Sequence, residues 1–222
     1  MSRYLVFKTQ IGVLMILLAL NVIKQQYFFV KAGKDKLVLD IGANIGVISQ
    51  ALEFSGFTVE SFEPQPEVFG LLRRNMKGRC HNLALASRVG VTTIPKVNYD
   101  EVNNFGGLSC GTASKSRGAI EVKVETLDSF NFANVGLMKI DVEGFEEEVL
   151  RGGVETINRC SPVLYLEDDR KEKSPSLHAF LKELGYRFEV HAPPLYRERN
   201  FFGKKQNIWD KNFVSRNIVC YR

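Results

Sequence analysis

The sequence predicts an α/β protein built on a doubly wound, mostly parallel sheet. Three observations predict it. An apolar run, Leu37 to Leu39, breaks at Asp40, Gly42 and Gly46 and resumes with helical apolar spacing at Val47, Ile48, Ala51 and Leu52. Strand, glycine turn, helix is the opening of a nucleotide site in such a fold. Glu63 ends a second apolar run, Phe57 to Phe62, about 20 residues on, where this fold places a carboxylate for ribose hydroxyls. Four strand-like segments end in acids, at Asp40, Glu63, Asp141 and Glu167, and open α/β sheets bind ligands at that edge.

The chain has 222 residues, 45% hydrophobic and 25% charged, which suits one globular core. Cys80, Cys110, Cys160 and Cys220 are widely spaced with no CxxC or Cys/His cluster, so structural zinc is not expected. Free thiols and the lack of an Asn-x-Ser/Thr sequon point to a reducing, cytoplasmic setting. The net charge of +5 is carried entirely by Arg187 to Arg222, where eight Lys/Arg face three Asp/Glu. A basic region of this kind attracts an anionic substrate, a membrane surface or nucleic acid.

Taken in order, Ile11 to Ile23 is nearly continuous apolar sequence, shorter than a spanning helix. It is expected to be an N-terminal helix, within a segment 1–33, packed on a domain of residues 34–222; membrane contact through 11–23 is the alternative. Gly33 to Lys36 is a turn. Pro64 and Pro66 end the second strand and start a helix, Glu67 to Met76, with Val68, Leu71 and Leu72 at helical spacing. Cys80 to Ala86 reads as a third strand, and Val91 to Val97 and Ile120 to Val124 as two more. Between those two, residues 98–119 form a polar, glycine-rich loop, expected to be a lid with Asn104 and Ser109 on the substrate. Gly136 to Ile140 is a buried strand, and alternation puts Lys139, Asp141 and Glu143 on one face while it lasts. A helix from Glu146 to Leu150 stops at Gly152-Gly153. The strand Pro162 to Leu166 runs into Glu167, Asp168 and Asp169. Ser174 is expected to cap a helix, Ser176 to Leu184. Phe188 to Val190 ends at His191, a basic aromatic loop over 191–213 holds Trp209, and Asn217 to Tyr221 is the last strand.

The glycine turn reads Asp-x-Gly-x-Asn-x-Gly, not Gly-x-Gly-x-x-Gly. A carboxylate at the strand tip suits a cation better than a pyrophosphate. S-adenosylmethionine (SAM) carries a sulfonium and an α-ammonium, so the loop favours it. Gly42, Asn44 and Gly46 are assigned to close approach by the cofactor, Asp40 to its methionine end, Glu63 to its ribose and Asn82 to its adenine.

Val38 to Gly46, Phe62-Glu63-Pro64, Asn82 to Leu85, Thr126 to Phe130, Lys139 to Glu146 and Leu150 to Gly153 together resemble the FkbM family of SAM-dependent methyltransferases. The match covers roughly Leu37 to Tyr186. The resemblance implies a seven-stranded Rossmann-like sheet of the class I methyltransferase type with its last strand antiparallel. It also implies O-methyl transfer to a hydroxyl of a sugar, glycan or secondary metabolite.

Transfer to an alcohol needs a base for the acceptor proton. Asp141, Glu143 and Glu167 are the candidates, with Lys139 and His191 behind them; Lys139 is expected chiefly to neutralise the acids. His191 and Trp209 are assigned to the acceptor. Asp128 reads as a helix cap. Asp168 and Asp169 with Asp141 could gather Mg²⁺, but no metal is the favoured expectation. The rival functions are an NAD-dependent oxidoreductase, a non-catalytic binding protein, and a nucleic-acid methyltransferase or binder using the basic aromatic region. A stable nucleic-acid partner is not expected.

Overall fold

A computed structural model describes residues 33, 35–96, 118–192 and 215–222. The expected N-terminal helix, most of the 98–119 loop and most of the 191–213 loop lie outside them, as do Asn104, Ser109 and Trp209. No helix among the described residues is long and apolar enough to cross a membrane.

Among the described residues, ten strands form two sheets. The strands are β1 (Leu37–Ile41), β2 (Thr58–Phe62), β3 (Arg79–His81), β4 (Ala84–Leu85), β5 (Gly90–Pro95), β6 (Ala119–Glu125), β7 (Val135–Ile140), β8 (Val163–Glu167), β9 (Arg187–His191) and β10 (Asn217–Tyr221). The main sheet has seven strands in the order β3-β2-β1-β7-β8-β10-β9. The pairs β3-β2, β2-β1, β1-β7 and β7-β8 are parallel, and β10 runs antiparallel to both neighbours. The doubly wound sheet with an antiparallel last strand is therefore present.

Period-two alternation sorts the core into two layers. Val38, Val59 and, beside them, Leu137 face α1 (Val47–Phe54) and α2 (Pro66–Asn75), packing on Leu52, Leu72 and Met76. Leu39, Ile41, Phe62, Met138, Ile140, Leu164, Leu166 and Ile218 point to the other side. There they meet α3 (Glu146–Arg151), α4 (Val154–Cys160) and α5 (Ser174–Glu183) through Val149, Leu150, Ile157, Leu177, Phe180 and Leu181. Strands buried on both faces need such unbroken apolar runs, which is why the pattern marks them.

Three readings differ from expectation. The single strand over Cys80 to Ala86 is two, because the Asn82 side chain turns back to donate to the carbonyls of Glu63 (2.9 Å) and Pro64 (3.1 Å). Beyond Asn82 the chain leaves the main sheet: β4 joins β5 and β6 in a three-stranded sheet of order β4-β6-β5. Gly152-Gly153 ends α3 as expected, with Gly152 as its C-cap, but a further helix that the sequence reading did not include, α4, starts directly after it. Asp128 caps that helix, accepting from the N–H groups of Glu155 (3.0 Å) and Thr156 (2.8 Å). Ser174 is not a cap but the first residue of α5, and its hydroxyl donates to Asp168 Oδ1 at 2.5 Å.

Candidate active site

The strand order reverses between β1 and β7, which creates a crevice at their carboxyl ends. The registers set its floor. Ile41 lies opposite Phe62 and Ile140, Ile140 opposite Leu166, and Asn217 opposite both Glu167 and His191. One residue beyond Ile41, Phe62 and Ile140, the rim reads Glu63, Gly42, Asp141, Glu167, Asn217, His191. Two residues back, on the same face, it reads Ser61, Asp40, Lys139, Tyr165.

The sequence puts Asp40 on the rim, facing the cofactor's methionine end. In the structure it sits one row below, fully buried. Ser49 Oγ donates to Asp40 Oδ2 at 2.5 Å, and Ser61 shares that hydroxyl at 2.8 Å. Lys139 Nζ stands 3.1 Å from Asp40 Oδ1 and 3.5 Å from Asp141 Oδ2, and donates to Gly42 O at 2.8 Å. Burial opposes the charge on Lys139, but Asp40 and Asp141 outweigh it and hold the ammonium above the usual lysine range. Lys139 is thus the cation that neutralises the floor and has no capacity as a base near neutral pH.

The glycine turn is shaped first by its own protein. Gly42 (φ 77°) would place a Cβ 1.9 Å from the carbonyl oxygen of Asp141, and Gly46 (φ 87°) one 2.7 Å from Leu72 Cδ1. Their lack of side chains serves contact with the end of β7 and with α2, a requirement of the fold that stands beside the close ligand approach expected of them. Asn44, also left-handed at φ 51°, donates its N–H to Glu63 Oε2 at 3.0 Å, while Gln65 N–H reaches Glu63 Oε1 at 2.9 Å. Glu63 therefore brackets the turn against β2. Burial pushes its carboxyl up to about 7, against the two N–H bonds that pull it down. Asn82 stands beside it, clamped to the Glu63 and Pro64 carbonyls.

Beyond Ile140 the chain leaves the strand, turning through Glu143 (φ 55°) and Gly144 (φ 93°). Buried Glu146 holds this turn, its Oε1 accepting from Val142 and Gly144 N–H at 3.1 and 3.0 Å. Asp141, Glu143 and Glu167 end with carboxylate oxygens within 4.8 Å of one another. Beside Lys139 at Asp141, they are met by Arg170, whose Nη2 donates to Glu143 Oε2 and whose Nε lies 3.3 Å from Asp169. Asp141 is the open member, its side chain 45% exposed. Glu167 Oε2 is buried with no hydrogen-bond partner among the described residues. Burial, then Asp141, Asp169, Glu143 and Glu146, push its carboxyl up to about 9.

Asp168 does not join this group. It is turned away and saturated by Ser174, by His178 Nε2 at 3.0 Å and by Arg216 Nε at 3.0 Å. The Asp141–Asp168–Asp169 cation set is accordingly not assembled. His191 closes the far end of the rim, with Tyr165 OH 3.0 Å from its Nδ1. Burial raises the phenol above its usual range and lowers the imidazole, a pairing in which the phenol can donate to a neutral imidazole. Sequence reasoning missed Ser49, Ser61, Tyr165 and Arg170. Tyr165 was within reach, since alternation puts it on the face of Glu167.

The Methyltransferase FkbM domain model matches residues 40–188. The chain belongs to the FkbM methyltransferase family. An NAD-dependent oxidoreductase is thereby set aside. Two relatives align with about half of the chain. Methyltransferase 1 of Beauveria bassiana is 26% identical over 145 residues, 53% of this chain and 58% of that protein. The 31-O-demethyl-FK506 methyltransferase FkbM of Streptomyces tacrolimicus is 29% identical over 154 residues, 52% of this chain and 58% of its own. The chain thus spans less than two thirds of the curated relatives it matches. Among solved structures, a methyltransferase FkbM from Methylobacillus flagellatus superposes with a TM-score of 0.59 at 15% identity, covering 85% of this chain and 44% of that one. The magnesium protoporphyrin IX methyltransferase of Synechocystis with bound SAM gives 0.51 at 12% identity, over 95% and 80%. At these identities the two structures speak to the fold of this FkbM chain.

Proposed function

We propose that the chain catalyses SAM-dependent O-methylation of a hydroxyl on a sugar, glycan or small secondary metabolite. One observation carries this: Glu63, the glycine turn and the Asp141–Glu167 pair share one level along the crevice where the strand order reverses. The rim offers a ribose acceptor at one end and a proton acceptor at the other. A methyltransferase of the same fold carries SAM, and a family relative is named for an O-methylation; both support the proposal.

SAM would supply an electrophilic methyl on a sulfonium. Asn82 and Glu63 would hold the adenosine, the two Glu63 oxygens keeping lone pairs for the ribose diol beside their N–H bonds. Asp141 would face the methionine end. Asp40 acts from beneath, fixing Lys139 and through it the rim. As the acceptor oxygen takes the methyl, sulfur keeps the bonding electron pair and Asp141, the exposed carboxylate, takes the hydroxyl proton. Asn104, Ser109, His191 and Trp209 are proposed for the acceptor side. A cavity of about 260 Å³ between β4–β5 and Phe145, lined by Leu85, Arg88, Val91 and Val124 among others, suits an acceptor with an apolar face. None of its lining comes from the glycine turn.

Calorimetry with S-adenosylhomocysteine (SAH) tests the cofactor half. Wild-type protein is expected to bind it, and Glu63→Gln to weaken binding tenfold to a hundredfold, the worth of about 1.5–3 kcal/mol for a hydrogen bond to a charged group. No binding by the wild type, or equal binding by the variant, overturns the assignment. Mass spectrometry of candidate sugars and metabolites after incubation with labelled SAM identifies the acceptor.

A further inference from the structure

The carboxyl ends of β7 and β8 set two acids side by side with too few cations for both. Asp141 and Glu167 stand level in the register and, with Glu143, bring their oxygens within 4.8 Å. Arg170 takes Glu143, and Lys139 faces Asp141. Glu167 has no such partner: its Oε2 is buried and unbonded among the described residues. The charges around it are Asp141, Glu143, Glu146 and Asp169, opposed by Lys139 and Arg170. Tyr165 lies two residues back on its face and bonds His191 instead. Carboxyls crowded in this way do not both ionise.

We infer that Glu167 holds a proton beside Asp141 until a cationic methyl donor displaces it, so that the pair becomes a base only when the donor is in place. The inference rests on the rim being the SAM site. In the free protein Glu167, pushed up to about 9 by burial and its acidic neighbours, keeps the proton at neutral pH. A sulfonium set against the rim favours the doubly ionised pair, and the proton leaves to solvent. On transfer the S–CH₃ bond breaks with its electrons staying on sulfur, the O–CH₃ bond forms, and the acceptor's hydroxyl proton goes to the pair. Loss of the thioether product then leaves the pair as it began. Overall one proton is released per methyl transferred, but at donor loading and not at the chemical step.

SAM and SAH differ in that sulfonium and share the ribose and the α-ammonium, so their comparison removes any titration of Glu63 or of the ligand's amine. Titration calorimetry of the whole chain at pH 7.5, in buffers of different ionisation enthalpy, counts the protons. SAM is expected to release roughly one more proton than SAH. Because the free protein holds the extra proton, SAM affinity should rise with pH, by up to about tenfold per unit below the free pair's titration, while SAH affinity stays flatter. Glu167→Gln should bind both ligands and lose the difference, and Glu167→Asp should restore it. Equal proton counts for SAM and SAH in the wild type overturn the inference and leave the SAM site standing. Failure of the wild type to bind either ligand removes the site itself, and the inference with it. Should Glu167→Gln not fold, the wild-type comparison decides alone.

Discussion

Lys139→Met is expected to destabilise the protein by about 3–5 kcal/mol, the cost of leaving a buried charge without its partner. Asp40 is fully buried and Lys139 is 9% exposed. Methionine fills the space of the lysine stem, so the loss is electrostatic and not a cavity. Asp141 also loses its cation, but it is open to water and is compensated there. Asp40 has only the Ser49 hydroxyl left. Urea unfolding of Lys139→Met should therefore show a lowered midpoint with an unchanged slope. The double variant with Asp40→Asn should recover much of the loss, because an amide oxygen still accepts from Ser49 without a charge to bury. A coupling of about 1–3 kcal/mol between the two sites is the expected signature. A loss below about 1 kcal/mol for Lys139→Met would mean that water reaches Asp40, and the buried pair would no longer be the anchor of the rim.

That anchor also shows where sequence reading stops. The apolar runs of β1, β2, β7 and β8 and the acids behind them were legible, because burial on both faces keeps most of each strand apolar. Which acid reaches the rim was not, because register decides it. Asp40 ends its run in sequence, yet pairs with Lys139 one row beneath Asp141. A shift of two residues is invisible in composition and decides whether a carboxylate meets a ligand or a lysine. Gly152-Gly153 ended α3 as read, but the resumption of a helix right after it was not legible, for a related reason. A Cβ at Gly152 would lie 2.0 Å from Ala86 O, and one at Gly153 2.6 Å from Leu127 Cδ2. The pair answers to neighbours distant in sequence while the chain stays helical on both sides. The FkbM motif blocks carried more than periodicity could, since they fix spacing between elements that no single window contains. The acceptor was not legible, because nothing in the motif blocks depends on it.

Gly42→Ala is expected to cost about 2–5 kcal/mol, and its close approach to β7 explains why the loss should also reach binding. Alanine in a left-handed conformation costs about 1–2 kcal/mol, and overpacking typically adds about 1–3 kcal/mol. Here the added carbon would sit 1.9 Å from a backbone oxygen, so no rotamer relieves it and β1 and β7 must part. Parting them strains the Asp141 N–H to Ile41 carbonyl bond of 3.1 Å and moves Asp141 with it. It also strains the Lys139 bond to the Gly42 carbonyl. Gly56 provides the comparison: it has φ 89° and nothing within 4 Å of a built Cβ. Gly56→Ala should cost only the conformational part and leave SAH binding intact. Thermal or urea unfolding of both variants separates overlap from backbone conformation. Calorimetry with SAH then asks whether the overlap propagates to the rim. Equal losses for Gly42→Ala and Gly56→Ala would show that β1 and β7 are not pressed together as described. Gly42 would then be free to serve a ligand directly, the role its place in the glycine turn suggests.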